Sequence, residues 1–196
     1  VEVEVENAGL RYALLDSVES VDYFIPPLRI MKLFVEVAKK GRIANLKDPI
    51  DKILITQTDK QITINSGLEE EKLLQLVETV KELDPDIILT VGGDSYLFPY
   101  LARRAMINNV LDRLVLSRDD VPLASKGMHG TTFFSYGQTY YRAPTRRLFG
   151  RVHIDESNTF ILRECGFEGL IEIARICRVP LHSASRSSIG SSMSSL

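Results

Sequence analysis

Apolar and polar positions alternate strictly at the start of the chain, "VEVEVE" (1–6), the pattern of a half-buried strand. Pro26 and Pro27 interrupt the backbone, and "LRIMKLFVEVA" (28–38) then reads as a largely buried strand. "GRIANLKDP" (41–49) carries the Gly, Asn, Asp and Pro of a loop. Two β-rich segments, "IDKILITQ" and "KQITIN", flank the turn-like "TDK" and predict a hairpin. "SGLE" (66–69) has the form of a capping box, in which Ser66 and Glu69 satisfy each other's orphan amides. The helix it opens carries Leu73, Val77, Val80 and Leu83 at helical spacing and ends at Asp84-Pro85. "DIILTV" (86–91) is continuously apolar, as expected for a strand in the middle of a covered sheet. Gly92 and Gly93 predict a turn that needs positive φ. Pro99 then opens the helical "PYLARRAMINNVL" at its first position. Residues 121–147 read as irregular. "GRVHI" is a further strand, and "GFEGLIEIARICRV" a helix with Leu170, Ile173, Ala174 and Cys177 on one face, stopping at Pro180. This order predicts a mixed α/β protein built on one central sheet, an architecture that specifies no function by itself.

Composition narrows the picture. The 196 residues make one large or two small domains. A net charge of −2 excludes a global electrostatic pull toward nucleic acid, so any such surface is a local patch. No apolar run reaches the length of a membrane span and no signal peptide is present, which predicts a soluble, cytoplasmic protein without a membrane partner. Cys165 and Cys177 lack metal-ligand spacing and are expected as buried free thiols. His129, His153 and His182 share no ligand-like spacing either. The chain begins at Val1, and its tail starts a helix with Ile189, Met193 and Leu196 but no C-cap signal; both features predict a fragment of a longer polypeptide.

"DPDIILTVGGDSYLFPYLARRA" (84–105) resembles the second exonuclease motif of family B DNA polymerases, in which a strand ends in an Asn-Gly-Asp-Ser-Phe-Asp-like turn followed by Phe-Pro-Tyr-Leu and a helix. "LRIMKLFVEVAKKGRIAN" (28–45) resembles the first motif, Asp-x-Glu on a buried strand. "FFSYGQTYYRAP", "GRVHID" and "GLIEIARICRVPLHSASRSSIGSSMSS" resemble the stretch that joins the exonuclease domain to the polymerase palm in archaeal members. The resemblance runs from about residue 26 to residue 196, in the family's order. It implies an RNase H-like (ribonuclease H/DnaQ-type) α/β fold, with a central mixed β-sheet flanked by helices. The implied division is an N-terminal segment at 1–27, the exonuclease-type domain at 28–160, and a helix and linker toward the palm at 161–196. It also implies a parent DNA-directed DNA polymerase, a nucleotidyltransferase of replication or repair, whose palm lies beyond Leu196.

Proofreading in this family uses two metal ions on converging carboxylates, because hard cations such as Mg²⁺ or Mn²⁺ take oxygen ligands. At the matching positions this chain has Phe34-Val35-Glu36 for the first motif and Leu97 for the metal-binding Asp of the second, with Gly92 in place of Asn. A third motif is not found, and Asp155 and Glu156 do not align with one. The catalytic positions Phe34, Glu36 and Leu97 are therefore degenerate, and Glu36 is the sole candidate metal ligand, with a salt-bridge role as its alternative. The expectation is a domain without 3′–5′ exonuclease activity and without a cofactor, Mg²⁺ being required only if the exonuclease or the downstream polymerase centre works. The alternatives are an active nuclease with non-standard ligands (Glu36, Asp94, Asp155, Glu156) and a module that binds other replication proteins.

Other positions carry chemistry of their own. "YYRAPTRR" places Tyr140, Tyr141, Arg142, Arg146 and Arg147 together, joining stacking rings to phosphate-binding guanidiniums. With Arg186 these are the candidate DNA-binding residues, for single-stranded or primer–template DNA; domain packing is the alternative. Arg186, Ser187 and Ser188 suit a phosphate at a helix N-terminus, or form part of a tail. Asp94 is expected to orient its turn by an Asx-type bond. Arg103 and Arg104 read as a solvated helix face.

Overall fold

The computed structural model describes residues 3–6, 11–14, 25, 27–39, 45–123, 130–135, 137–142 and 144–186. The expectations for Pro26, the loop at 41–44, His129, Ser187, Ser188 and the C-terminal helix with Ile189, Met193 and Leu196 lie outside them. The side chains of Tyr140, Tyr141 and Arg142 lie outside as well, although their backbone is described.

Strands β1 (Val3–Glu6) and β2 (Arg11–Leu14) pair antiparallel in a two-stranded sheet of their own. The central strands are β3 (Ile30–Val37), β4 (Ile50–Gln57), β5 (Lys60–Ile64) and β6 (Ile87–Thr90). A separate hairpin comes next, β7 (Thr131–Ser135) with β8 (Gln138–Arg142), and then the last central strand, β9 (Val152–Asp155). The central sheet has the order β5-β4-β3-β6-β9; β3, β4 and β5 are antiparallel, whereas β3, β6 and β9 are parallel. Four helices flank it: α1 (Glu69–Leu83), α2 (Phe98–Ile107), α3 (Phe160–Ile176) and α4 (Leu181–Ala184).

The sheet's two faces are covered unequally. Met31, Leu33 and Val35 of β3 and Ile53 and Ile55 of β4 join Leu73, Leu76, Val77 and Val80 of α1 and Phe98, Leu101 and Ala105 of α2 in one core. On the opposite face a smaller core holds Ile87, Leu89, Ile154, Ile161, Leu170 and Ala184, so α3 and α4 cover the β6–β9 end. Parallel strands buried on both faces read as continuous apolar runs, which is why "DIILTV" has no alternation. The expectation for β3 is corrected by the same logic. It alternates, with Lys32 and Phe34 exposed and Phe34 at 51 %, because among the described residues no helix covers the far face of the antiparallel half.

Other local expectations shift for identifiable reasons. The N-cap of α1 is Leu68, not Ser66, and Glu71 rather than Glu69 accepts the Leu68 amide at 2.7 Å. Glu69 is drawn away by tertiary partners: the Ile50 amide (2.7 Å), Asn108 Nδ2 (2.9 Å) and a double ion pair with Arg104, whose Nε lies at 2.7 Å. Arg104 is thus buried and tied to the Lys47 carbonyl at 2.8 Å, not solvated as Arg103 is. Burial alone raises the Glu69 carboxyl, but Arg104, the Ile50 amide and Asn108 outweigh it and hold it below the usual range. The stretch at 121–147 contains the β7–β8 hairpin, with Gly137 left-handed (φ 77°) at its turn. Helix α3 is interrupted at Gly166 (φ 68°), and Cys165 beside it is exposed while Cys177 is buried.

The turn after β6 fixes the direction in which α2 leaves the sheet. Gly92 is left-handed (φ 71°), and residues Gly93–Leu97 form a π-helical turn that runs directly into α2, with Pro99 in its first turn. Gly93 has a different requirement from the positive φ expected of it. A Cβ there would lie 1.9 Å from Thr90 Oγ1 and 2.6 Å from His153 Nε2.

Two stability outcomes are expected. Gly93→Ala should cost about 1–3 kcal/mol through overpacking, and Gly92→Ala about 1 kcal/mol through its left-handed backbone; urea midpoints compare them. Glu69→Ala should cost on the order of 3 kcal/mol, since it leaves the Arg104 guanidinium buried without its carboxylate. A double-mutant cycle with Arg104→Ala should show strong coupling.

Candidate functional site: a strand-to-helix turn held by two buried aspartates

Strands β6 and β9 run parallel with Thr90 opposite Asp155, so both deliver their C-terminal ends to one edge of the sheet. Asp155 reaches sideways to the turn. Its Oδ1 accepts from the Gly92 amide (2.8 Å), the Ser157 amide (3.0 Å) and the Ser157 hydroxyl (2.7 Å). Its Oδ2 accepts from the Asp94 amide at 2.9 Å. These amides open the helical turn, where free N–H groups and the backbone dipole both favour a carboxylate. Burial pushes the Asp155 carboxyl up, but Ser157 and the amides of Asp94 and Gly92 together hold it below its ordinary value.

Asp94 points the other way, into the protein, and is 1 % exposed. Its Oδ1 accepts from the Arg146 amide at 2.8 Å; its Oδ2 accepts from Arg186 Nη2 at 2.6 Å and Asn158 Nδ2 at 3.2 Å. The Asx-type bond expected within the turn is replaced by these long-range partners. His153 lies beside it, with Nδ1 3.6 Å from Asp94 Oδ1. That Nδ1 is 2.9 Å from the Arg146 carbonyl, which only accepts, so Nδ1 carries the proton. Nε2 then accepts from the Thr90 hydroxyl at 2.8 Å. Burial holds the ring below the ordinary imidazole range despite the nearby Asp94, and Phe98 packs on it at 4.4 Å between centroids.

Phe34, Glu36 and Leu97, the positions expected to be degenerate, divide between the faces of β3. Leu97 is 5 % exposed and sits in the core with Met31, Leu33 and Val35. Phe34 and Glu36 fall on the opposite, open face. Glu36 stands across from Lys52 on β4 and pairs with it at 3.1 Å. No group of three or more His, Cys, Asp or Glu among the described residues is arranged to hold a metal. The residues present do not fit a two-metal centre. Both oxygens of Asp94 and of Asp155 are engaged by donors, Glu36 is paired with a lysine, and Leu97 offers no ligand.

The candidate DNA-binding residues are likewise divided. The backbone of Tyr140, Tyr141 and Arg142 forms β8. Arg146 is buried at 8 % exposure, Arg147 is exposed, and Arg186 is committed to Asp94 and to Thr145 Oγ1, the latter at 2.7 Å. Sequence reasoning missed His153, Asn158 and Thr90. The one available signal was a histidine at an inward position of the apolar strand "GRVHI".

Comparisons with known proteins bear on the family and the fold. The family model for the DNA polymerase family B exonuclease domain matches residues 36–161. The chain is 49 % identical over 51 residues to a DNA polymerase of Thermococcus litoralis, covering 26 % of this chain and 3 % of that protein. It is 29 % identical over 107 residues to the DNA polymerase of Archaeoglobus fulgidus, covering 54 % and 14 %. The family B DNA polymerase structure from Pyrobaculum calidifontis superposes with a TM-score of 0.54 at 24 % identity, over 83 % of this chain and 20 % of that one, which shows the RNase H-like α/β fold. The chain spans only a small part of the length of each relative, and the residues matched by the family model, 36–161, contain the turn held by Asp94 and Asp155. This chain belongs to the family B DNA polymerases, and its matched region is their exonuclease domain.

Proposed function

We propose that this is a proofreading-type domain in which the nuclease centre has become a structural joint. The observation that carries the proposal is the engagement of both oxygens of Asp94 and of Asp155 by protein donors. A carboxylate in a two-metal nuclease must present oxygens to cations, whereas these present theirs to amides, a hydroxyl, an amide side chain and a guanidinium. Leu97 removes a further ligand and adds apolar contact to the core instead. Without metal-activated water and without stabilisation of the leaving 3′ oxygen, in-line hydrolysis has no catalyst here.

The role left to such a domain is to brace the rest of a polymerase chain and to guide single-stranded or primer–template DNA along the basic, aromatic segment from Tyr140 to Arg147. The parent's activity would be primer extension by a palm outside this chain, with replication proteins as further partners. No helix among the described residues is long and apolar enough to cross a membrane.

The direct measurement is incubation of the chain with Mg²⁺ or Mn²⁺ and a labelled single-stranded primer. The expected result is a primer of unchanged length. Removal of 3′ nucleotides that Glu36→Ala abolishes would overturn the proposal.

A structural carboxylate also has a pH signature. Asp155 titrates below the ordinary aspartate value of 3.8, so its contribution to stability is complete above that pH and disappears as pH falls through the lower folded-state value. Asp155→Asn should therefore lose about 1–3 kcal/mol at neutral pH. The gap to the parent chain should narrow in acid, as urea unfolding across a pH series will show. A metal-binding acid predicts the reverse, since relieving clustered charge stabilises.

A further inference from the structure

Behind the Asp94 turn lies a pocket of about 210 Å³, between the segment that leaves β8, the start of β9 and helix α4. Arg146, Arg147, Arg151, His153 and His182 line it, and among the described residues no aspartate or glutamate does. The nearest carboxylates are already committed. Asp94 holds Arg186, and Asp84 holds Arg151 Nη1 at 2.9 Å on the side that also meets the Pro85 carbonyl. The Arg151 side chain is 3 % exposed, and its Nε is a buried donor with no hydrogen-bond partner among the described residues. Arg147 is exposed and makes no ion pair among the described residues. Burial and the charges of Arg147 and Arg186 push His182 below the ordinary imidazole range, so the local field is positive.

A buried Arg151 Nε without an acceptor is costly in a partly desolvated pocket, and an anion beside it and Arg147 relieves that cost. The donors come from two parts of the fold, Arg147 and Arg151 from the segment before β9 and His182 from α4. That arrangement suits the oxygens of a tetrahedral anion better than a planar carboxylate, and guanidinium forks match phosphate geometry. We propose that this pocket binds a phosphate group, carried either as the terminal phosphate of a nucleotide or as a backbone phosphate of single-stranded DNA. Arg147 and His182 contact it from the pocket lining, and Arg151 supplies the buried donor. His153 has both ring nitrogens engaged by Thr90 and Arg146 and serves only as wall.

The test is calorimetric titration of the whole chain with inorganic phosphate, against chloride at matched ionic strength. Phosphate should bind where chloride does not, and Arg147→Ala, at an exposed position that leaves the core intact, should weaken it about 10-fold or more. His182→Ala should weaken it as well. Equal responses to phosphate and chloride, or unchanged phosphate affinity in Arg147→Ala, would overturn the proposal. Thymidine monophosphate and an unphosphorylated single-stranded oligonucleotide are then used as competitors. Displacement by the first identifies a terminal phosphate and by the second a backbone phosphate; displacement by neither also overturns it. The outcome is independent of the nuclease assay, since neither Arg147 nor His182 hydrogen-bonds to Asp94 or Asp155 among the described residues.

Discussion

A carboxylate taken fully out of water must be met by donors or by a counter-charge, and Asp94 imposes that constraint on the whole C-terminal edge of the sheet. Its partners come from three places distant in sequence: the Arg146 amide, Asn158 after β9, and Arg186 after α4. One side chain thus fastens the segment leaving β8, the end of β9 and the last described turn to the start of α2. Asp155 acts in the opposite direction from the same strand end, gripping the amides of Gly92 and Asp94. Between them the two acids hold the turn from both sides. Removing the Arg186 guanidinium would leave the buried Asp94 carboxylate without its ion-pair partner at this edge.

The same turn is held by the chain's own backbone and packing requirements. Gly92 provides the left-handed step, and Gly93 lets the backbone close on the Thr90–His153 hydrogen bond. Neither requirement depends on a metal. Leu97 then gains burial with Met31, Leu33 and Val35 where a metal-binding acid would need open access to cations. On the other face of β3, Phe34 and the Glu36–Lys52 pair form a surface with no clustered acids. Packing and turn geometry stabilise this frame, whereas a metal centre needs converging carboxylates free to face a cation.

Strands β4, β6 and β9, the β4–β5 turn, the end of α1 at Asp84 and the Pro99 helix start were legible because each rests on a local rule. Those rules are alternation or continuity of apolar residues, a proline's fixed φ, or a residue that tolerates a left-handed cap. Three features were not legible for a shared reason. Glu69 leaves the expected capping box because Arg104 lies 35 positions away and competes for it. Arg104 is buried by the same pair. The β7–β8 hairpin was hidden because its glycine and aromatic residues also fit an irregular loop, and strand pairing is decided by the partner.

The residues alone determined the mixed α/β class, the family resemblance, and the apolar identities of Phe34 and Leu97, since identity at a position needs no coordinates. The tertiary structure decided what the remaining acids and arginines do. A charged side chain's role depends on its nearest opposite charge and its access to water. For Asp94 with Arg186, and for Glu36 with Lys52, those are set by which strands and helices the fold brings together.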